Sequence, residues 1–440
     1  MPLDLNSADA DFDARLAGLL GARQGSDSSA AEAARTIIAD VRARGDAAVI
    51  ELTNRFDRLS IADADGLRLD AGRIKAAAAK CPEHVRDALK FAAERIRVFH
   101  EYQTPAGLEL EQPGGMMLGY RFTPISAVGL YVPGGTAAYP SSLLMNTIPA
   151  QVAGVERIVV MVPTPDDVLS PALAAAIELL GLTEVYRVGG AQAVAAFAYG
   201  TESIKSVDLV VGPGNAYVAA AKREVYGIVG IDSLAGPSEI LVIADDSADP
   251  DWIAADLLSQ AEHDEQAQSI LVTNSADLAA AVGAAVERQL AALPRAGIAR
   301  ASWNTHGAII TVADLVVEAP VIADRIAAEH VEVVCREADA VVAAIRHAGA
   351  IFIGPYSSEP IGDYVAGTNH VLPTAGSARF ASGLGVMNFM KRTSLIRCSA
   401  EAFGPLAEAT IALAEAEGLD AHSEAVRLRR DAGAQVRAKA

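Results

Sequence analysis

Basic charge, cysteine and long apolar runs are what this sequence has little of, and each scarcity removes a class of function. Its 440 residues include 36 Lys and Arg against 55 Asp and Glu, a net charge of -19. A field of that sign repels phosphate backbones and anionic lipids, so neither nucleic acid nor a membrane is an expected partner. The three cysteines, Cys81, Cys335 and Cys398, are scattered and odd in number. Without a CxxC pair they exclude a disulfide framework and a thiolate metal site, and a reducing, cytoplasmic location is the expectation. No apolar run reaches the roughly eighteen residues of a membrane span, and the acidic start MPLDLNSADADFDARL has no apolar core of the kind a signal peptide needs.

What is present is an ordinary globular composition, 51% hydrophobic and 21% charged. The chain is too long for one core, which predicts two or three domains and a cleft between them. The first hundred residues are alanine-rich and helical in pattern, with helices expected over 29–44 and 71–99. From Arg121 short apolar runs at 127–132, 157–162, 185–188 and 207–211 each precede a Gly- or Pro-bearing turn, and helical patterns at 170–180, 191–199 and 216–225 lie between them. That alternation marks βαβ units and a parallel sheet buried on both faces. Runs at 239–244, 269–273, 308–312 and 350–353, with helices at 277–292 and 321–328, extend it into a second α/β lobe joined near Gly236–Pro237. The stretch 354–380 is too long and too rich in Gly and Pro to be a mere connector, so it reads as a functional loop. The last sixty residues return to helix, over 405–417 and 421–430, with Gly418 as the stop.

Chemistry has several candidate seats. Residues 249–263, DPDWIAADLLSQAEH, form a helix in which Asp249 caps, Pro250 fits the first turn and Ile253, Leu257, Leu258 and Ala261 make the apolar stripe. Gln260 and His263 stand three apart near its end and could share an ion or ligand, although on spacing alone a solvated helix end is the simpler reading. The turns Gly134–Gly135, Gly189–Gly190 and Gly212–Pro213–Gly214 follow strands and suit a phosphate-bearing ligand such as a dinucleotide. None completes GxGxxG, since Tyr217 holds the third place, and ligand-free tight turns compete with that reading. Histidine is more selective, with eight in the chain. Glu329 and His330 are adjacent bases that address different points of a substrate; Asp363 and His370 lie in the long loop, and His422 follows Gly418. His84, His100, His306 and His347 carry no reading beyond a structural one.

Longer strings add to this. GLYVPGG at 129–135, YPSSLLMNTIPAQVAGV at 139–155, GGAQAVAAFAYGTE at 189–202, VGPGNAYVAAAKR at 211–223, AGPSEILVIAD at 235–245, DLLSQAEHDEQAQSIL at 256–271, GDYVAGTNHVLPT at 362–374 and EGLDAH at 417–422 stand in the order found in histidinol dehydrogenases, and from about residue 30 the chain resembles that family. The resemblance implies two Rossmann-like lobes with parallel-rich sheets: an N-terminal segment 1–30, a metal-binding lobe 31–122 with 239–378, an NAD-binding lobe 123–238, and a helical tail 379–440 exchanged in an intertwined homodimer. It implies one zinc ion per subunit on Gln260, His263, Asp363 and, from the other subunit, His422. Ser238, His370 and Glu417 match positions contacting histidinol, as do His330 and the zinc ligands; Tyr131, Gln192 and Asn215 match positions contacting NAD; Glu329 and His330 match the catalytic pair. The implied reaction oxidises L-histidinol through bound L-histidinal to L-histidine with two NAD. Two positions depart from the family pattern: Ala328 stands where Pro is common, and Thr136 where Lys is frequent. A relative oxidising another polar alcohol, such as a sulfonated diol, and a silent metal-binding protein are the competing readings; retention of Glu417, His422, Glu329 and His330 argues against both.

Overall fold

The computed structural model describes residues 1–21, 28–134 and 139–439, and the chain divides into two compact units. The first comprises Met1–Gln103 and Ile125–Phe389 and contains two all-parallel sheets. The larger has six strands in the order Leu3–Asn6, Ala308–Thr311, Gln268–Thr273, Glu239–Ala244, His330–Val334 and Ala350–Ile353. Its central strand, EILVIA, is buried at all six positions. Side chains alternate across a strand, so Leu241 and Ile243 enter one core while Ile240, Val242 and Ala244 enter another on the opposite face. Burying each such aliphatic side chain contributes about 1.5–3 kcal/mol, which is why a strand with no polar face forms only inside a doubly covered sheet.

The smaller sheet runs Glu184–Tyr186, Arg157–Met161, Ala127–Tyr131, Leu209–Val211 and Gly230–Ile231. The helices Ser28–Arg44 and Asp46–Asp57 belong to this side, because Ala34, Ile38, Val41, Val49 and Leu52 share one core with Val159, Val194 and Phe197. That differs from the expected partition, which grouped residues 31–122 with the metal-binding lobe. The apolar stripes of these helices are complementary to the five-stranded layer, whereas the strand Leu3–Asn6 pairs into the six-stranded sheet and the helix Phe12–Gly21 packs Phe12, Leu16 and Leu19 against it. The expected helix over 71–99 is two, Ala71–Ala78 and Glu83–Glu101, interrupted at Pro82, whose ring cannot continue a helix.

The second unit comprises Thr104–Pro124 and Met390–Ala440. It holds a three-stranded antiparallel sheet, Met390–Cys398 beside Met116–Pro124 beside Leu108–Gln112, and the helices Ala400–Ala416 and Asp420–Lys439. Helix was expected across the last sixty residues and no element over 104–120; Leu108–Gln112 is exposed at every position, so no buried face imprints a period-two pattern on it. Residues 379–389, expected in the tail, stay with the first unit. Among the described residues no helix is long and apolar enough to cross a membrane.

Candidate active site

The helix Pro250–Ala261 leaves the carboxyl end of the strand Glu239–Ala244 and returns its own carboxyl end to the amino edge of the six-stranded sheet. Asp249 caps it by accepting the Asp251 N–H at 2.8 Å, as the sequence predicts. Gln260, in its last turn, is fully buried, and neither its Oε1 nor its Nε2 has a hydrogen-bond partner. A buried amide left unpaired costs about 1–3 kcal/mol, so an oxygen held this way is set up for something other than the fold. His263 follows, its N–H donating to the Gln260 carbonyl at 3.2 Å. Its ring keeps an exposed edge, yet the protein packed around it desolvates the imidazole and holds its pKa below the usual value, against the opposing field of Asp363.

The strand His330–Val334 begins at the same edge. Ala327, at φ 52°, takes the left-handed turn that ends the helix Leu315–Ile326, and the Ala328 carbonyl accepts the Gly349 N–H at 3.0 Å. The turn that aims Glu329 is therefore held without the family's proline. Thr136, the other departure, and Gly135 of the PGG turn lie outside the described residues. Glu329 and Glu239 lock the two strand starts together, each carboxylate accepting the other residue's backbone N–H, at 3.1 and 3.3 Å. Burial pushes the Glu329 carboxyl up to about 8, with the charge of Glu239 adding to the rise and His330 opposing it.

His330 is 3% exposed. Its Nδ1 donates to the Glu239 carbonyl at 3.0 Å, and because a carbonyl only accepts, the neutral ring must carry its proton there and present a lone pair at Nε2. That Nε2 lies 3.4 Å from Asp363 Oδ1. Burial alone would lower the imidazole pKa; the carboxylates of Glu329, Asp363 and Glu359 outweigh it and hold the ring protonated near neutrality. Asp363 closes the short helix Glu359–Tyr364. Although burial opposes ionisation, its bond to His330 and the field of His370 keep Asp363 below the ordinary carboxylate range. Glu359, by burial first and then the like charge of Asp363, is pushed up to about 7. Ligand atoms of His330, Glu359 and Asp363 all lie within 4.8 Å of one another, an arrangement able to hold a cation.

His370 bridges the long loop to the helix Pro140–Ala153: its Nδ1 donates to the Asp363 carbonyl at 2.9 Å and its Nε2 sits 3.3 Å from Ser142 Oγ. Ser238 immediately precedes Glu239, its carbonyl accepting the Gln268 N–H at 2.9 Å. Sequence-predicted residues Ser238, Gln260, His263, Glu329, His330, Asp363 and His370 all belong to the first unit, whereas Glu417 and His422 belong to the second, exposed where its two helices meet. Glu239 and Glu359 were not anticipated. For Glu359 a signal existed, since Glu359 and Asp363 stand four apart on one helix face.

In the five-stranded lobe, Tyr131, Gln192 and Asn215 line one cavity of about 1040 Å³, together with the turn residues Gly134, Gly189 and Gly190. Tyr131 ends its strand and its hydroxyl accepts the Gly190 N–H at 3.2 Å; burial pushes the phenol up to about 12. Asn215 caps the helix Ala216–Val225 by accepting the N–H groups of Tyr217 and Val218, both at 3.1 Å.

A family model described as histidinol dehydrogenase matches residues 21–430. The chain belongs to the histidinol dehydrogenase family. Its sequence is 56% identical over 429 residues to the histidinol dehydrogenase of Bradyrhizobium diazoefficiens, covering 98% of this chain and 99% of that one. Against the histidinol dehydrogenase of Nitrobacter winogradskyi identity is 57% over 429 residues, 98% of this chain and 100% of the relative. The crystal structure of histidinol dehydrogenase from Elizabethkingia anophelis superposes with a TM-score of 0.91 at 33% identity, covering 98% of both chains. Full-length agreement at this level gives the chain the family's function, an oxidoreductase of histidine biosynthesis, and does not favour the sulfonated-diol alternative.

Proposed function

We propose that the chain oxidises L-histidinol through bound L-histidinal to L-histidine, using NAD in the Tyr131–Gln192–Asn215 cavity and a zinc ion held by Gln260, His263, Asp363 and a fourth ligand, His422 of the partner subunit. The donor set fits such an ion: an unpaired buried amide oxygen, an imidazole kept neutral by desolvation and a carboxylate kept ionised. Zinc would supply orientation of the substrate's imidazole and amine, and NAD would supply the hydride acceptor in both oxidations.

The observation that carries this reading is the His330 tautomer. With Nδ1 committed to the Glu239 carbonyl, Nε2 is the one atom of the ring that can take a hydroxyl proton. Carboxylates hold the ring protonated near neutrality, and their field at the ring would be weakened, favouring its basic form, with Asp363 engaged in holding a cation. Glu329, poised by burial to exchange a proton near neutral pH, would orient and deprotonate the water that adds to the aldehyde. Ser238, His370 and Glu417 would hold the substrate, with Glu417 and His422 reaching the site from the neighbouring chain of a homodimer. Large apolar side chains left exposed on the second unit, among them Ile396 at 73% and Leu413 at 66%, support a covered surface there. Two NADH formed per histidinol, lost on chelation and restored by zinc, is the expected result; one NADH per histidinol or indifference to chelator would refute the reading.

A further inference from the structure

The cavity of the five-stranded lobe has a polar wall beside Tyr131, Gln192 and Asn215. Asp57, the last residue of the helix Asp46–Asp57, lines it and is 8% exposed. Its Oδ2 is buried without a hydrogen-bond partner, and the same holds for Thr164 Oγ1 and Gln192 Oε1 in the same cavity, both residues being 1% exposed. Folds pair their buried polar atoms, so three unpaired oxygens around one cavity point to a ligand rich in donors. The neighbouring Arg58 offsets the Asp57 charge only in part, its guanidinium being bound by the Asp166 carboxylate at 2.6 and 2.5 Å. Burial raises the Asp57 carboxyl to about 6, which still leaves an anion at neutral pH.

Gly189 shows how the ligand would lie. It caps the helix Gly190–Tyr199, and a Cβ there would stand 3.6 Å from Asp57 Oδ2 and 2.8 Å from Pro163 Cβ. A side chain there would collide with Pro163, so glycine keeps the backbone of the helix N-terminus, suited to a diphosphate, close beside the Asp57 carboxylate. The same cavity is lined by the apolar residues Ile37, Phe56, Val168 and Leu169, which suit a flat base. A diphosphate, a diol and a base are together the adenosine half of a dinucleotide.

We propose that Asp57 accepts the hydroxyls of the adenosine ribose and so makes the enzyme selective for NAD over its 2′-phosphorylated counterpart. This rests on the reading that the cavity holds NAD. A carboxylate accepts from both hydroxyls at once, whereas a 2′-phosphate removes one donor and sets like charge against a buried anion.

Steady-state rates with histidinol and either NAD or NADP, for the native protein and for D57N and the smaller D57S, test it. The native protein should prefer NAD by about 100-fold or more in kcat/KM, and each variant should raise KM for NAD about tenfold with kcat little changed while the NAD-to-NADP ratio falls by a similar factor. KM for histidinol should stay constant. A ratio unaltered in both variants overturns the proposal, including the case where NAD and NADP efficiencies fall together, which would put the carboxylate on the base or the other ribose. Failure of the native protein to reduce NAD would sink the cavity reading itself, a result distinct from variants that reduce it normally.

Discussion

Replacing His330 by asparagine tests the assignment of the base. Asparagine retains an N–H that can reach the Glu239 carbonyl, now met by Nδ1 at 3.0 Å, but has no basic atom to present where Nε2 lies. The ring sits in a cluster with Glu329 Oε2 at 3.8 Å and Asp363 Oδ1 at 3.4 Å, so its removal also takes away the positive partner of two buried carboxylates. Those groups can protonate instead, which limits the structural damage. Loss of a positioned general base lowers the rate by about 10²–10⁴, equal to roughly 2.7–5.4 kcal/mol of transition-state stabilisation. Because the same Nε2 serves both oxidations, histidinol and histidinal turnover should fall by the same factor in pre-steady-state NADH formation. Near-native turnover of either substrate would refute the reasoning, and so would a defect confined to KM.

Other perturbations separate the remaining roles. Glu329→Gln keeps an oxygen able to accept the Glu239 N–H at 3.1 Å, so the fold should survive while oxidation of histidinal slows far more than that of histidinol; equal losses would end the division of labour. Gln260→Leu replaces an amide with no partner by an apolar group of similar volume, so the metal-free protein should melt no lower than native while zinc content by atomic absorption falls below one per chain; a lowered melting temperature without metal would mean the amide is structurally paired. For Asp57 the folded carboxyl is raised from 3.8 to about 6, so the folded state binds the proton more tightly and its stability rises as pH falls from above 6 toward 4. Asp57→Asn should flatten that rise and, in urea titrations at pH 8 without nucleotide, add about 1–2 kcal/mol after discounting for solvent screening; a loss of stability would contradict it. Mixing inactive H330N and H422A subunits should restore about a quarter of native activity if each site joins residues of two chains, and none if each chain is self-sufficient.

Periodicity carried the buried elements well. The helix expected over 216–225 and the strand over 239–244 match Ala216–Val225 and Glu239–Ala244, because each buries a face whose period is written in the residues. Met390–Cys398 escaped because pairing, with little burial, makes it a strand. The layout of the candidate sites was half legible. Gly134, Gly189 and Gly190 do line a cavity beyond the strands of the smaller sheet, but the Glu329–His330 cluster lies at the amino edge of the larger one. That edge becomes crowded with acids only once parallel pairing sets Glu239 beside His330, a contact between residues 91 apart. Likewise the unpaired Asp57 Oδ2 lies beside Gly189, a juxtaposition of residues far apart in sequence that no local pattern reveals.

Among the described residues, ligand atoms of His330, Glu359 and Asp363 gather within 4.8 Å of one another, whereas the proposed ion belongs to Gln260, His263, Asp363 and His422 of the partner subunit and His330 is kept for proton transfer. A crystal structure of the zinc-loaded protein with histidinol, phased on the metal edge, decides between them. Anomalous density is expected about 2.0–2.2 Å from Gln260 Oε1, a His263 nitrogen and an Asp363 oxygen, with His330 Nε2 facing the substrate hydroxyl. Density bonded to His330 and Glu359 would contradict it.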